Sequence, residues 1–322
     1  MKTLRGRRTI TEIPVEFKEI NLGYTGRDLK EHAYYTKDRN ELKDRVVQSG
    51  IYTRAQMDKI EKEGCQVVIA NGLSVSPFSG YRYYLSTRYS AEILKGLKVL
   101  MEAVASDNSE IIVPLNRPRV LKAFKSQIER APNIYMRTIK DYYPMGMIEI
   151  LHRKIDMLQN QRVYYPGQEG VLITPVEDLL KVYLYVEEPE NAGFKPIMIF
   201  TGKDRYFIWA DRDMVFSELL GLLKLKPAPL AVVGDLLNGT AVTEYDELKL
   251  DDISQIFMLD EYNVMPVRCV ECGKCVEICP ERLRHTHSMD ILQNARGMVC
   301  FQSVPGCIGC GLCGYFCPGF SQ

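Results

Sequence analysis

Eight cysteines near the end of the chain fall into two copies of one spacing. Cys269-x-x-Cys272-x-x-Cys275-x-x-x-Cys279-Pro280 is followed by Cys307-x-x-Cys310-x-x-Cys313-x-x-x-Cys317-Pro318. Two intervening residues let a tight loop wrap a cube of iron and sulfide, and the cysteine–proline step carries the fourth thiol out of that loop. Gly273, Gly309, Gly311 and Gly314 leave room for backbone N–H groups to approach the sulfurs, which raises a cluster's potential. Zinc sites also use C-x-x-C pairs, but they set two pairs well apart and do not place three cysteines within seven residues. The spacing therefore predicts iron–sulfur chemistry, and with it electron transfer.

In the two-cluster version of this run, the bacterial-ferredoxin type, the fourth cysteine ligates the other cluster. One [4Fe-4S] cluster is then expected on Cys269, Cys272, Cys275 and Cys317, and the second on Cys307, Cys310, Cys313 and Cys279. Cys275 and Cys279 are four residues apart, so even a fully extended chain separates them by at most about 14 Å. The exchange of ligands thus brings the clusters close enough for direct electron exchange.

Other chemistry-bearing residues give weaker signals. Cys300 lies outside both runs and reads as a packed thiol, with a surrogate ligand as the alternative. Cys65 precedes an apolar run and reads as core. His285 and His287 are spaced i, i+2 with no third ligand in view, so a solvated turn is the simpler reading; His32 and His152 suggest no partner. Tyr142-Tyr143 and Tyr164-Tyr165 read as packing residues.

The elements that must carry these motifs come earlier in the chain. A helix is expected from Asp38 to about Gln48. Gln66-Val-Val-Ile-Ala, Glu110-Ile-Ile-Val-Pro and Asn133–Ile139 read as strands, alternating with helices over Ala91–Ala105, Arg117–Ile128 and Gly146–Arg153. That alternation predicts a parallel α/β layer. Past a turn-rich segment at Glu187–Gly193, a small α+β unit follows. Its strands are expected at Pro196-Ile-Met-Ile-Phe-Thr-Gly, Tyr206-Phe-Ile-Trp and Leu230-Ala-Val-Val-Gly, its helix over Met214–Leu223, and another strand or two within 240–264. Residues 1 to about 40 are polar, with weak strand character at Ile13–Phe17.

Composition narrows the rest. The 322-residue chain has 41 basic and 41 acidic residues, so no charge excess points to nucleic acid or an anionic membrane. Of its 10 cysteines, all but Cys65 lie from Cys269 to Cys317, a packing that suits metal better than disulfides. The basic stretch Met1–Arg8 has no apolar run behind it, so export is not expected and the cytoplasm is the expected compartment. No direct membrane span is expected either.

The order of units resembles the C subunit of the Rnf electron-transport complex, itself related to the flavin-binding subunit of respiratory complex I. The resemblance covers about residues 45–320 and rests on Asn71-Gly72, Tyr143-Pro144, Phe200-Thr-Gly and Val233-Gly-Asp-Leu-Leu-Asn-Gly. It implies four parts: an extension over 1–44, a Rossmann-like parallel α/β domain over 45–190, a β-grasp (SLBB-like) module with its connector over 191–264, and a two-[4Fe-4S] ferredoxin domain over 265–322. The N-terminal barrel-like domain of the full family is not expected here.

The resemblance also implies an FMN site fed by NADH, and three of its parts are altered. The glycine-rich phosphate loop falls at Tyr52-Thr-Arg-Ala-Gln-Met57. The family's Asn-Gly-x-Glu-x-Glu-Pro reads Asn71-Gly72-Leu73-Ser74-Val75-Ser76-Pro77, with serine for both acids. The flavin-contacting Asn-Val-x-Thr falls at Pro175-Val176-Glu177-Asp178, where acids oppose a phosphate. FMN is therefore not expected.

The leading expectation is a non-catalytic electron-transfer subunit of a soluble anaerobic oxidoreductase complex. Its partners would be flavoprotein or iron–sulfur subunits of a reductase or dehydrogenase. A second reading is an NADH-oxidising, FMN-containing subunit with an unorthodox site at Arg54, Gly72, Ser74 and Ser76. A third makes the clusters structural, in an assembly factor.

Overall fold

The computed structural model describes residues 17–25, 38–129, 131, 133–158, 170–260, 270–283, 292–293, 299–300 and 305–317. It opens with strand β1 (Lys18–Asn21) and helices α1 (Arg39–Gln48) and α2 (Arg54–Glu63). Thr53 and Gln56 close α2 with a capping box: Thr53 Oγ1 accepts from the Gln56 amide at 3.2 Å, and Gln56 Oε1 from the Thr53 amide at 2.8 Å.

Alternation of strand and helix follows: β2 (Cys65–Asn71), α3 (Tyr81–Arg88), α4 (Ser90–Ala103), β3 (Asn108–Pro114), α5 (Pro118–Ile128), β4 (Ile134–Ile139), α6 (Ile148–Leu158), β5 (Gly170–Pro175) and α7 (Val176–Glu187). The four strands form a parallel sheet in the order β4-β3-β2-β5. This is the expected Rossmann-like layer. Its apolar runs are buried on both faces, as a parallel sheet covered by helices requires. Val68, Ala70, Ile111 and Val113 face one core, whereas Ile69 and Ile112 face Leu151 and Ile155 of α6 on the other side.

A second, mixed sheet takes the remaining strands. After a 3-10 turn at Pro189–Asn191 come β6 (Phe194–Phe200), β7 (Arg205–Asp211), α8 (Phe216–Leu223), β8 (Leu230–Val233), β9 (Thr240–Val242) and β10 (Gln255–Leu259). The sheet order is β1-β7-β6-β10-β8-β9, with β10 parallel to β6 and β1 parallel to β7. Period-two alternation splits its side chains. Met198, Phe200, Phe207, Trp209, Val232 and Phe257 join the core of the first unit, while Ile197, Ile199, Ile208 and Ile256 pack with Phe216 and Leu219 of α8.

The layers therefore run α6, parallel sheet, a helical layer including α4 and α7, mixed sheet, α8. One core is shared between the sheets, so the second unit is a structural wall of the first rather than a loosely tethered module. Each Leu, Ile or Phe buried there contributes roughly 1.5–3 kcal/mol.

The strand near the N-terminus is Lys18–Asn21 rather than Ile13–Phe17, and residues 13–16 lie outside the described residues. Helix α6 starts at Ile148, because backbone turns through Met145 and Met147 occupy the segment expected to open it. Among the described residues no helix is long and apolar enough to cross a membrane.

Candidate redox site

The two cysteine loops are backbone copies. Glu271 and Gly309, which precede equivalent cysteines, have φ of 53° and 67°; Gly273 and Gly311, which follow them, have φ of 73° and 72°. The two glycines cap short helices α9 (Lys274–Ile278) and α10 (Leu312–Tyr315), which pack against each other. A short strand pair, β11 (Leu292–Gln293) and β12 (Val299–Cys300), lies between the repeats in sequence and puts Cys300 in a strand.

Cys279 sits with the second repeat. Together Cys279, Cys307, Cys310 and Cys313 line one hollow of about 280 Å3, open solvent included. All four are free thiols. Backbone amides point at the sulfurs: Leu283 N lies 3.5 Å from Cys279 Sγ and Gly309 N lies 3.4 Å from Cys307 Sγ. The amides of Leu312 and Gly314 likewise favour the thiolates of Cys310 and Cys313. Burial, and then the neighbouring sulfurs, still push Cys310 up and Cys313 up to about 11. Thiols held together against their own charge are a donor set that suits a cationic iron–sulfur core. Of the ligands expected for the other cluster, Cys272 is exposed, Cys275 buried and Cys317 half-buried; Cys269 lies outside the described residues.

The hollow is fixed to the C-terminal edge of the parallel sheet. Tyr143, in the loop after β4, donates its hydroxyl to the Cys310 carbonyl at 2.5 Å. Phe78, after β2, meets Tyr315 of α10 with ring centroids 5.9 Å apart. Arg153 of α6 forks onto Glu281, with one contact at 2.7 Å. From the mixed sheet, buried Asp235 accepts from the Phe78 amide at 3.2 Å and the Leu237 amide at 3.1 Å, tying the turn after β8 to the loop after β2. Tyr143 is thus more than the packing residue its sequence suggests. Its neighbour Tyr142 is half exposed, while Tyr164, Tyr165, His32, His285 and His287 lie outside the described residues. Cys65 opens β2 against the main core, as expected.

The same edge is where a parallel sheet binds ligands, at the point where strand order reverses between β2 and β5. The residues there are committed to one another. A Cβ on Gly72 would lie 2.6 Å from the Ile112 carbonyl oxygen, so this glycine serves contact with β3. Ser74 Oγ accepts from the Ser76 amide at 3.1 Å, and Gln255 donates to Ser76 Oγ at 2.6 Å. Arg82 is buried, grips Glu177 with a contact at 2.8 Å, and donates to the Leu73 carbonyl at 2.6 Å. Arg54 stands apart, exposed at the start of α2 and paired with Asp44. Ser74 and Ser76 therefore share one buried turn, and Arg54 is bound elsewhere.

Acids gather at this edge as well. Burial and neighbouring Glu177 push Asp178 up to about 6. Asp141, raised by burial, accepts from the Ser74 amide at 2.9 Å and from the Tyr83 hydroxyl. Tyr52 is pushed up to about 12 by burial.

Residues 48–184 match the family of Nuo51 FMN-binding domains. The chain is 24% identical over 226 residues to the C subunit of the ion-translocating oxidoreductase complex of Edwardsiella ictaluri, covering 67% of this chain and 28% of that protein. It is 23% identical over 230 residues to the C subunit of the Na(+)-translocating ferredoxin:NAD(+) oxidoreductase complex of Acetobacterium woodii, covering 67% of this chain and 51% of that protein. It thus spans about half or less of the length of these relatives. In fold it is similar to a chain in the crystal structure of an NAD+-reducing [NiFe]-hydrogenase in the H2-reduced state, with a TM-score of 0.56, 14% identity, and coverage of 69% of this chain and 47% of that one.

Proposed function

We propose that this Rnf C-like chain, related to the flavin-binding subunit of complex I, is an electron-transfer subunit of an oxidoreductase complex. Electrons would pass through two [4Fe-4S] clusters without a flavin of its own. The observation that carries this reading is the hollow ringed by Cys279, Cys307, Cys310 and Cys313, docked on the sheet edge. Bound clusters would supply one-electron transfer. Cys279 and the second repeat would hold one; Cys269, Cys272, Cys275 and Cys317 would hold the other. The strand order β7-β6-β10-β8-β9, with α8 packed on one face, supports reading the mixed sheet as a β-grasp (SLBB-like) module. The partners would be flavoprotein or iron–sulfur subunits, met in the cytoplasm.

The match to an FMN-binding family favours a second reading, NADH oxidation on FMN. The donor set does not fit that cofactor. The capping box of α2 already occupies the amides of Thr53 and Gln56, and the edge carries Glu177, Asp178 and Asp141 where a phosphate would need cations. Arg82 is a buried cation beside the altered loop, and Glu177 neutralises it.

Anaerobic purification with iron, acid-labile sulfide and flavin measured per chain tests both readings. Roughly eight irons and no flavin are expected, as two four-iron clusters require. One FMN per chain with NADH-dependent dye reduction would overturn the flavin-free reading.

A further inference from the structure

The two cysteine loops share a backbone but not a setting. Cys272 is exposed, whereas its equivalent Cys310 is 7% exposed. Among the described residues a Cβ on Gly273 would meet nothing within 4 Å; on Gly311 it would lie 1.9 Å from the Leu237 carbonyl oxygen. Val270 is 66% exposed, while its counterpart Ile308 lines the wall of the hollow. The Cys310 carbonyl accepts the Tyr143 hydroxyl, and Tyr315 meets Phe78. These contacts, which fix the second loop, come from the α/β unit and from the turn after β8.

We infer that the two clusters have different roles: the cluster on Cys279, Cys307, Cys310 and Cys313 is the inner one, held to the sheet edge by Tyr143, and the first repeat is the outer port, where electrons pass to or from a partner protein. This rests on the relay reading above. Tyr143 is a positioning residue that acts through one peptide. Its hydroxyl fixes the Cys310 carbonyl, and Leu237 confines the next α-carbon, so the Cys310–Gly311 peptide cannot rotate. Withdrawing charge from that carbonyl makes the Gly311 N–H a stronger dipole, which bears on the potential of the cluster beside it. Among the described residues the outer loop has no comparable restraint at Gly273, and it presents Cys272 to solvent. A partner protein can therefore bring its own redox centre against the first repeat without displacing any described element of this chain.

The experiment uses the whole chain, purified anaerobically and reduced, with both clusters observed by electron paramagnetic resonance. Cys272→Ser and Cys310→Ser assign the two signals, whether the variant shifts a signal or removes it. A water-soluble lanthanide chelate then reports distance to solvent. The signal touched by Cys272→Ser should relax several-fold faster with chelate than the one touched by Cys310→Ser. Tyr143→Phe, which keeps the ring, should lower the midpoint potential of the inner cluster and leave the outer one in place. Equal or reversed relaxation, or a Tyr143→Phe shift confined to the outer cluster or absent from both, would overturn the assignment. A chain that binds no iron would refute the relay reading itself, a separate failure.

Discussion

Gly273 and Gly311 allow a paired test, because they share a φ near 72° and differ only in surroundings. Alanine in the left-handed region costs about 1 kcal/mol relative to glycine. At Gly273, with no described residue within 4 Å of the new Cβ, that is the effect expected. At Gly311 the methyl group would sit 1.9 Å from the Leu237 oxygen, so the two backbones must part by more than an ångström. Leu237 cannot yield alone. Its amide is bonded to the Asp235 carboxylate at 3.1 Å, and the turn is closed by Gly239 N on Asp235 O at 2.6 Å. Breaking the charged bond costs about 1.5–3 kcal/mol, and losing Tyr143 from the Cys310 carbonyl about 1 more. Gly311→Ala should therefore destabilise by roughly 4 kcal/mol against about 1 for Gly273→Ala. At about 2–4 °C per kcal/mol for a chain of this size, the apparent Tm should fall by roughly 8–16 °C and 2–4 °C respectively. Calorimetry of the two cluster-loaded variants, with iron per chain measured beside it, decides the matter. Equal losses would refute the claim that the second loop is wedged against the mixed sheet.

Three other outcomes are expected. Arg82→Ala strands the Glu177 carboxylate and the Leu73 carbonyl at a buried site, and should cost about 3–5 kcal/mol in urea unfolding, whereas Arg54→Ala, whose pair with Asp44 is exposed, should cost less than about 1. Asp178→Asn should stabilise, because an acid raised from 3.8 to about 6 favours the unfolded chain once it ionises. That penalty grows as pH rises from the unfolded to the folded value. With partial exposure allowed for, the benefit should be about 1 kcal/mol larger at pH 8 than at pH 5, and an equal benefit at both would argue against a buried Asp178. Glu271→Gly relieves a non-glycine residue at φ 53° and should raise the apparent Tm by about 2–4 °C.

What was readable in the sequence follows physical lines. Strands β2, β3, β6 and β7 are compact β-branched and aromatic runs, and helices α4 and α5 keep one apolar face, so each declares itself locally. Helix α7 does not. It follows β5 with no turn residue except Pro175, and it lies between two sheets, so Leu179, Leu180, Val182, Tyr183, Leu184 and Val186 are buried round most of its circumference and the helical period is smeared. Helix α2 has the opposite defect, with Met57 as its one buried residue, although Thr53 and Gln56 spell a capping box that is visible in the sequence. The spacing of the cysteine motifs is local and legible, and of the two expected ligand sets the structure gathers Cys279, Cys307, Cys310 and Cys313 around one hollow. Tyr143 is not: its partner Cys310 lies 167 residues away, and nothing around Tyr143 marks its hydroxyl as aimed at a cysteine loop.

The altered crevice and the docked cysteine loop are one arrangement rather than two. In this chain the loop after β2 is closed on itself by Ser74 and Ser76, and its far end carries Phe78, which reaches both Asp235 and Tyr315. A loop that had to open round an anionic ligand would loosen those contacts; a loop sealed by its own hydroxyls holds them fixed. The charge balance points the same way. A phosphate about 5 Å from an ionised carboxylate would be repelled by roughly 3 kcal/mol at an effective dielectric of about 20. Two acids open α7, and Arg82 is taken up by one of them. On the relay reading, the frame of an α/β layer would serve as a rigid mount, which suits electron transfer because a cluster fixed to a sheet edge would keep one distance to whatever it exchanges electrons with.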